Sequence, residues 1–242
     1  MVFMPYNMRK CVPLQSVIVA TILHCVGCAH DGAPHSEPPG GGTALPLVGV
    51  HSTTPTDEET RGRSLFYEAV DGDRAALAEA SKVWSRLHAA DVSNACALAY
   101  HGACQALAAR TALWPWEKAR LVRDGLAALD RAVAASAADA AELEVRFLRG
   151  MTLYRMPPMV DRSKEAPADL AYVAERAEQA VHDGRLSPRI AAAALYHFGE
   201  ICDRSGDVAA ATDAWERAVG IAPDSPPGRA ARDRRLAVGK RG

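Results

Sequence analysis

Aromatic residues are scarce in this chain: Phe, Trp and Tyr together supply 6 % of 242 residues. Regular Val/Ile alternation is also missing, which argues against a sheet core. No sign of charge dominates. The formal net charge is −1, so the chain lacks the basic excess on which nucleic-acid binding draws. Cysteine is too sparse for a disulfide scaffold, with six in all, and Cys11, Cys25 and Cys28 crowd into the first 28 residues. HExxH, paired CxxC, Walker-type glycine and G-x-S-x-G patterns are absent. His24, His30, His35 and His51 precede any folded region, and His88, His101, His182 and His197 each stand alone. His101 and Cys104 have the spacing of half a metal site, but with no third ligand they read as a packed histidine beside a buried cysteine. Catalysis needs convergent groups, so the expectation is a protein without chemistry of its own, and without metal or cofactor.

What is abundant is alanine, which accounts for much of the 49 % hydrophobic content. Alanine is the strongest helix former and the smallest apolar side chain. An alanine-rich, aromatic-poor chain predicts an all-α fold of closely approaching helices.

The first 60 residues read as an address and a tether. Arg9 and Lys10 precede an apolar run from Cys11 to Val26, shorter than the roughly 20 residues of a membrane span and suited to a secretion signal. The run ends Cys25-Val26-Gly27-Cys28, which resembles the lipobox of bacterial lipoproteins. That resemblance implies a signal peptide over 1–27, removed before Cys28, and acyl chains on Cys28. Several chains matter, because one alone holds only marginally to a bilayer. It implies an envelope location, on the periplasmic face of the outer membrane where there is one. The Cys25-x-x-Cys28 pair lacks the surrounding fold of a redox site, and Ala29 separates Cys28 from His30, spoiling a haem-attachment motif. Residues 28–60, rich in Pro, Gly, Ser and Thr, cannot bury enough surface to offset their ordering entropy. About 30 such residues reach roughly 30 Å.

The remainder repeats itself. Gly199, Gly206, Ala211, Trp215, Ala218 and Pro223 form a single register that resembles the tetratricopeptide repeat, a helical hairpin of about 34 residues. Weaker copies follow Gly72-Asp73 with Ala80, Trp84 and Leu87, and link Leu98 and Gly102 to Gly125, Leu129 and Ala132 across roughly 11 extra residues. A third hairpin joins 142–155 to 169–182. The resemblance implies an α-solenoid of about four hairpins over 61–225, with a capping helix and basic tail over 226–242. One hairpin cannot bury its own apolar face, so neighbours must stack.

In that family the first helix of each hairpin lines the inner wall. Carried over on Gly102, Gly150 and Gly199, the wall shows Tyr100, Glu144, Phe147, Met151, Tyr154, Arg155, Tyr196, Glu200 and Arg204, with Trp114 and Trp116 as a lip. Aromatics and arginines are the side chains that binding hot spots use. Arg146 and Arg149, one turn apart, either clamp a partner's carboxylate or phosphate or pair with Asp130, Glu142 or Glu144. The tail from Arg229 to Arg241 either caps the domain or touches anionic lipid. The expected function is a lipid-anchored envelope module that binds another envelope protein or peptide. The alternative is a ligand-binding or solute-transport accessory with a pocket at Trp114 and Trp116.

Overall fold

A computed structural model describes residues 56–137, 140–156, 162 and 165–239. The residues read as a signal peptide, Cys28 and most of the stretch read as a tether lie outside the described residues. Among those described, the secondary structure is helical throughout, in the order α1 (Asp57–Val70), α2 (Arg74–Ala90), α3 (Ala95–Ala108), α4 (Pro115–Ala135), α5 (Glu142–Tyr154), α6 (Glu165–His182), α7 (Pro188–Ser205), α8 (Val208–Ile221) and α9 (Pro226–Gly239). No helix among them is long and apolar enough to cross a membrane.

Local chemistry sets the boundaries. Helix α1 begins inside the stretch read as tether, because Thr56 and Glu59 form a reciprocal capping box and Asp57, Glu58 and Glu59 fill the positive end of the helix dipole. Asp73 and Asn94 cap α2 and α3 through their side chains. Pro115 occupies the first turn of α4, where a missing N–H costs nothing. Ser187 and Pro188 open α7, which closes on Gly206 at φ 86°, a left-handed turn that a side chain would strain. The extra residues between α3 and α4 form mostly helix: a loop of 109–114 leads into a 21-residue α4, against 14 residues for α8.

Each odd helix packs on the even helix that follows it, and each even helix packs on the next odd one. Successive odd helices also touch, α1 on α3, α3 on α5, α5 on α7 and α7 on α9. Small residues permit the approach. A Cβ on Gly102 would lie 2.7 Å from the Gly125 carbonyl oxygen, and one on Gly125 would lie 2.6 Å from that of Gly102. At Gly199 the obstruction is the Trp215 indole, 2.5 Å away. Two apolar clusters result. One gathers α1 to α4 around Trp84, Tyr100 and Leu129, the other gathers α6 to α9 around Leu170, Leu195 and Trp215, and α5 feeds both. Cys96, Cys104 and Cys202 are free and buried.

Candidate partner-binding site

The residues expected to bind a partner divide into three main groups. Tyr100 and Phe147 belong to the core and correct the expectation. Tyr100 is 0 % exposed, stacks on Trp84 at 4.2 Å, and donates its hydroxyl to Glu144 at 2.7 Å. It sits on α3, where ten of 14 residues are buried because α1, α2, α4 and α5 all pack on this helix. Phe147 is packed among the α6–α9 cluster.

Arg146 and Arg149 form the second group, and they too correct the partner-binding expectation. Both converge on Asp169, a carboxylate 1 % exposed on α6. Arg149 reaches it through Nε at 2.7 Å and Nη2 at 2.9 Å, and touches Asp130 at 3.2 Å. Arg146 reaches Asp169 at 3.2 Å and Glu142 at 2.9 Å, with its guanidinium 4.3 Å over the Tyr172 ring. Arg162 extends the network to Asp130 at 2.7 Å and to Glu165. These cations join α4, α5 and α6. The hydrogen bond and charge of Asp169 outweigh desolvation and raise the pKa of Arg149. Glu144 pairs instead with Arg63 of α1, at 2.8 and 3.1 Å. An acid on the buried stripe Ala166, Leu170, Val173 and Ala177, facing two arginines one turn apart, was the available signal for this network.

The third group does come together, around a residue that the repeat register passed over. His197 of α7 lies with its ring 5.1 Å from Tyr154 of α5 and 4.8 Å from Tyr196. The Arg204 guanidinium sits 4.8 Å over the Tyr154 ring. Met151 packs half-buried against the apolar core gathered from α6 to α9. Glu200 holds Arg234 of α9 at 2.7 Å. Arg155 and Arg204 are both exposed. Desolvation pushes the pKa of Arg155 down, and the nearby Arg110 adds to the push. The arrangement offers half-buried rings with cations at their margin.

His197 is pushed down to about 4, chiefly by burial and then by Arg155 and Arg204. Its buried Nδ1 has no hydrogen-bond partner among the described residues. The folded state therefore holds the imidazole neutral, while an unfolded chain protonates it near pH 6.5. Stability from this residue is complete above about pH 6.5 and is lost as pH falls towards 4. Urea unfolding between pH 7 and 4.5 should show a decline that His197→Phe flattens by on the order of 1–3 kcal/mol. An unchanged pH slope in that variant would remove His197 from the account.

Trp114 and Trp116 stack on each other at 4.8 Å and stand 56 % and 67 % exposed. His101 contacts Ser85 and Gln105 through its two ring nitrogens, at 3.2 and 3.0 Å. Among the described residues no group of three or more His, Cys, Asp or Glu side chains is arranged to hold a metal ion. In the tail, Arg234 and Arg235 meet Glu200 and Glu216, while Arg229 and Arg232 donate to the carbonyls of Asp224 and Pro223. No protein-family model, curated protein or solved structure matches this chain.

Proposed function

We propose that this chain is a helical-repeat scaffold of the tetratricopeptide type, held to an envelope membrane through Cys28, that grips a segment of another envelope protein. The observation that carries the reading is the cluster of Tyr154, Tyr196, His197 and Arg204 on the first helices of successive hairpins. Rings held half-buried by packing lose little conformational freedom when a partner covers them, and arginine can bond a carboxylate or a backbone carbonyl. The contact of each odd helix with the next supports the repeat reading, as does the close crossing of Gly199 on Trp215. The lipobox resemblance supports the anchor.

The alternative, a solute-binding accessory, asked for a pocket rimmed by Trp114 and Trp116. Two hollows among the described residues are lined elsewhere, one by Arg61, Glu79, Lys82 and Arg86 and the other by Ala69, Leu77, Leu107 and Arg110. No observation favours that reading over the first.

Affinity capture from solubilised envelope tests the proposal. The full chain should recover a defined partner that Tyr154→Ala with Arg204→Ala loses by about tenfold or more, a loss of the size hot spots produce. Arg86→Ala, an exposed change on α2, should recover the partner as wild type does. Equal recovery by all three proteins would sink the site.

A further inference from the structure

Large apolar side chains that stand exposed are few among the described residues: Val92, Leu113, Trp114, Trp116, Val208 and Leu236. Three of these six fall within four consecutive positions at the entry to α4. Leu113 is 88 % exposed. Exposed apolar residues scattered singly need no explanation, but a contiguous group marks a surface meant to be covered.

The local backbone is arranged around this group. Trp114 occupies the N-cap of α4 and makes no side-chain capping bond there. Ser, Thr, Asp or Asn would stabilise the helix at that position, so the indole forgoes a structural role. Pro115 fixes the first turn, and the two indoles lie nearly parallel, 15° apart. The rings are thus presented in one orientation at little entropic cost.

Charge decides which occupant fits. Between Arg110 and Asp124 the sequence carries four cations (Arg110, Lys118, Arg120, Arg123) and two acids (Glu117, Asp124). Trp116, Arg120 and Arg123 follow one another at helical spacing and share a face. Arg120 and Arg123 are 58 % and 73 % exposed and both reach Asp124, at 3.9 and 3.0 Å. Such surface pairs are weak and free to turn towards stronger fields. A protein hot spot concentrates its energy in a desolvated pocket, whereas these rings stack on each other and line neither hollow described above. Projecting indoles backed by cations match the headgroup region of a bilayer, where tryptophan concentrates and basic residues meet anionic lipid.

We propose that Leu113, Trp114 and Trp116, backed by Lys118, Arg120 and Arg123, form a tip that docks the folded domain onto an anionic bilayer surface. Docking lays this end of α4 on the membrane and is separate from the partner site on α5 and α7. The tip inserts only to headgroup depth, because the cations behind the rings stay in water.

The test is a fluorescence measurement on the full chain with vesicles whose acyl chains carry bromine at the headgroup end, which quenches indoles seated at the headgroup boundary. Two vesicle sets are compared, pure phosphatidylcholine and phosphatidylcholine mixed with phosphatidylglycerol. The anchor proposed at Cys28 would itself hold the chain to vesicles, so the readout is local. Trp84 and Trp215, each 0 % exposed, keep their emission as an internal reference. The quenched component should be strong on the anionic vesicles and weak on the neutral ones. It should disappear in Trp114→Phe with Trp116→Phe, and fall roughly fivefold or more in Lys118→Glu with Arg120→Glu. Tyr154→Ala with Arg204→Ala should leave it unchanged, which separates failure of this proposal from failure of the partner site. Equal quenching on both vesicle types overturns the proposal. So does a tip that stays open to aqueous acrylamide on anionic vesicles, an outcome that assigns the patch to a protein.

Discussion

Replacing Asp169 with alanine is expected to cost the fold about 3–5 kcal/mol, the range found when one partner of a buried ion pair is removed. Asp169 is 1 % exposed and receives three guanidinium contacts, one from Arg146 and two from Arg149. Without it, two arginines whose side chains are 25 % and 16 % exposed lose their shared counter-charge. Glu142 and Asp130 compensate in part, which places the loss towards the lower end of the range. The urea midpoint of the single variant, compared with Asp169→Leu combined with Arg149→Met, measures it. The double change should recover much of the loss, because an apolar replacement leaves no charge unpaired. A drop below 1 kcal/mol for Asp169→Ala would show that the network is not holding α5 to α6.

The second large effect is expected at Trp215. Trp215→Ala should destabilise by about 3–5 kcal/mol, the usual cost of deleting a large aromatic from a packed core. The indole is 0 % exposed, lies against Gly199, and donates Nε1–H to the Tyr196 carbonyl at 3.1 Å. Truncation removes that donor and opens a cavity beneath the site helix. A thermal melt should register a large fall for this variant and almost none for Trp116→Ala, whose ring is exposed. Equal falls would mean that the α7–α8 contact contributes little. The partner site should loosen with the core, since Tyr196 and His197 sit on the helix that Trp215 supports.

Much of the helical architecture was legible in the sequence. The turns at Gly72-Asp73 and Gly206-Asp207, the proline opening α4 and the alanine stripes all depend on neighbours within a few positions, and the helices begin and end at those places. The third hairpin also fell close to its expected bounds. Helix α1 started earlier than expected because a capping box outweighed the composition of the stretch around it. The extra residues before α4 went mostly into lengthening that helix.

The candidate site was legible only in part. Repeat spacing put Tyr154 on one helix and Tyr196, Glu200 and Arg204 on another, which are α5 and α7, but it passed over His197, which looked like one isolated histidine among several. It also placed Tyr100 on an open wall. Spacing states which side of its own helix a residue occupies, and not whether another helix lies there. Helix α1 covers Tyr100 through Phe66 and Arg63, an arrangement that separates partners by more than 30 positions in the chain.

Alone, the sequence determined that this region is helical, where its turns fall and which small residues mark the crossings, since propensity, capping and periodicity are local properties. Only the tertiary structure decided which charges are spent in bonds between helices and which stay open. Asp169 drew Arg146 and Arg149 inward, while Arg155 and Arg204 remained at the surface beside Tyr154. The physical reason is that a charge must be paired once neighbours desolvate it, and those neighbours are set by packing between distant parts of the chain.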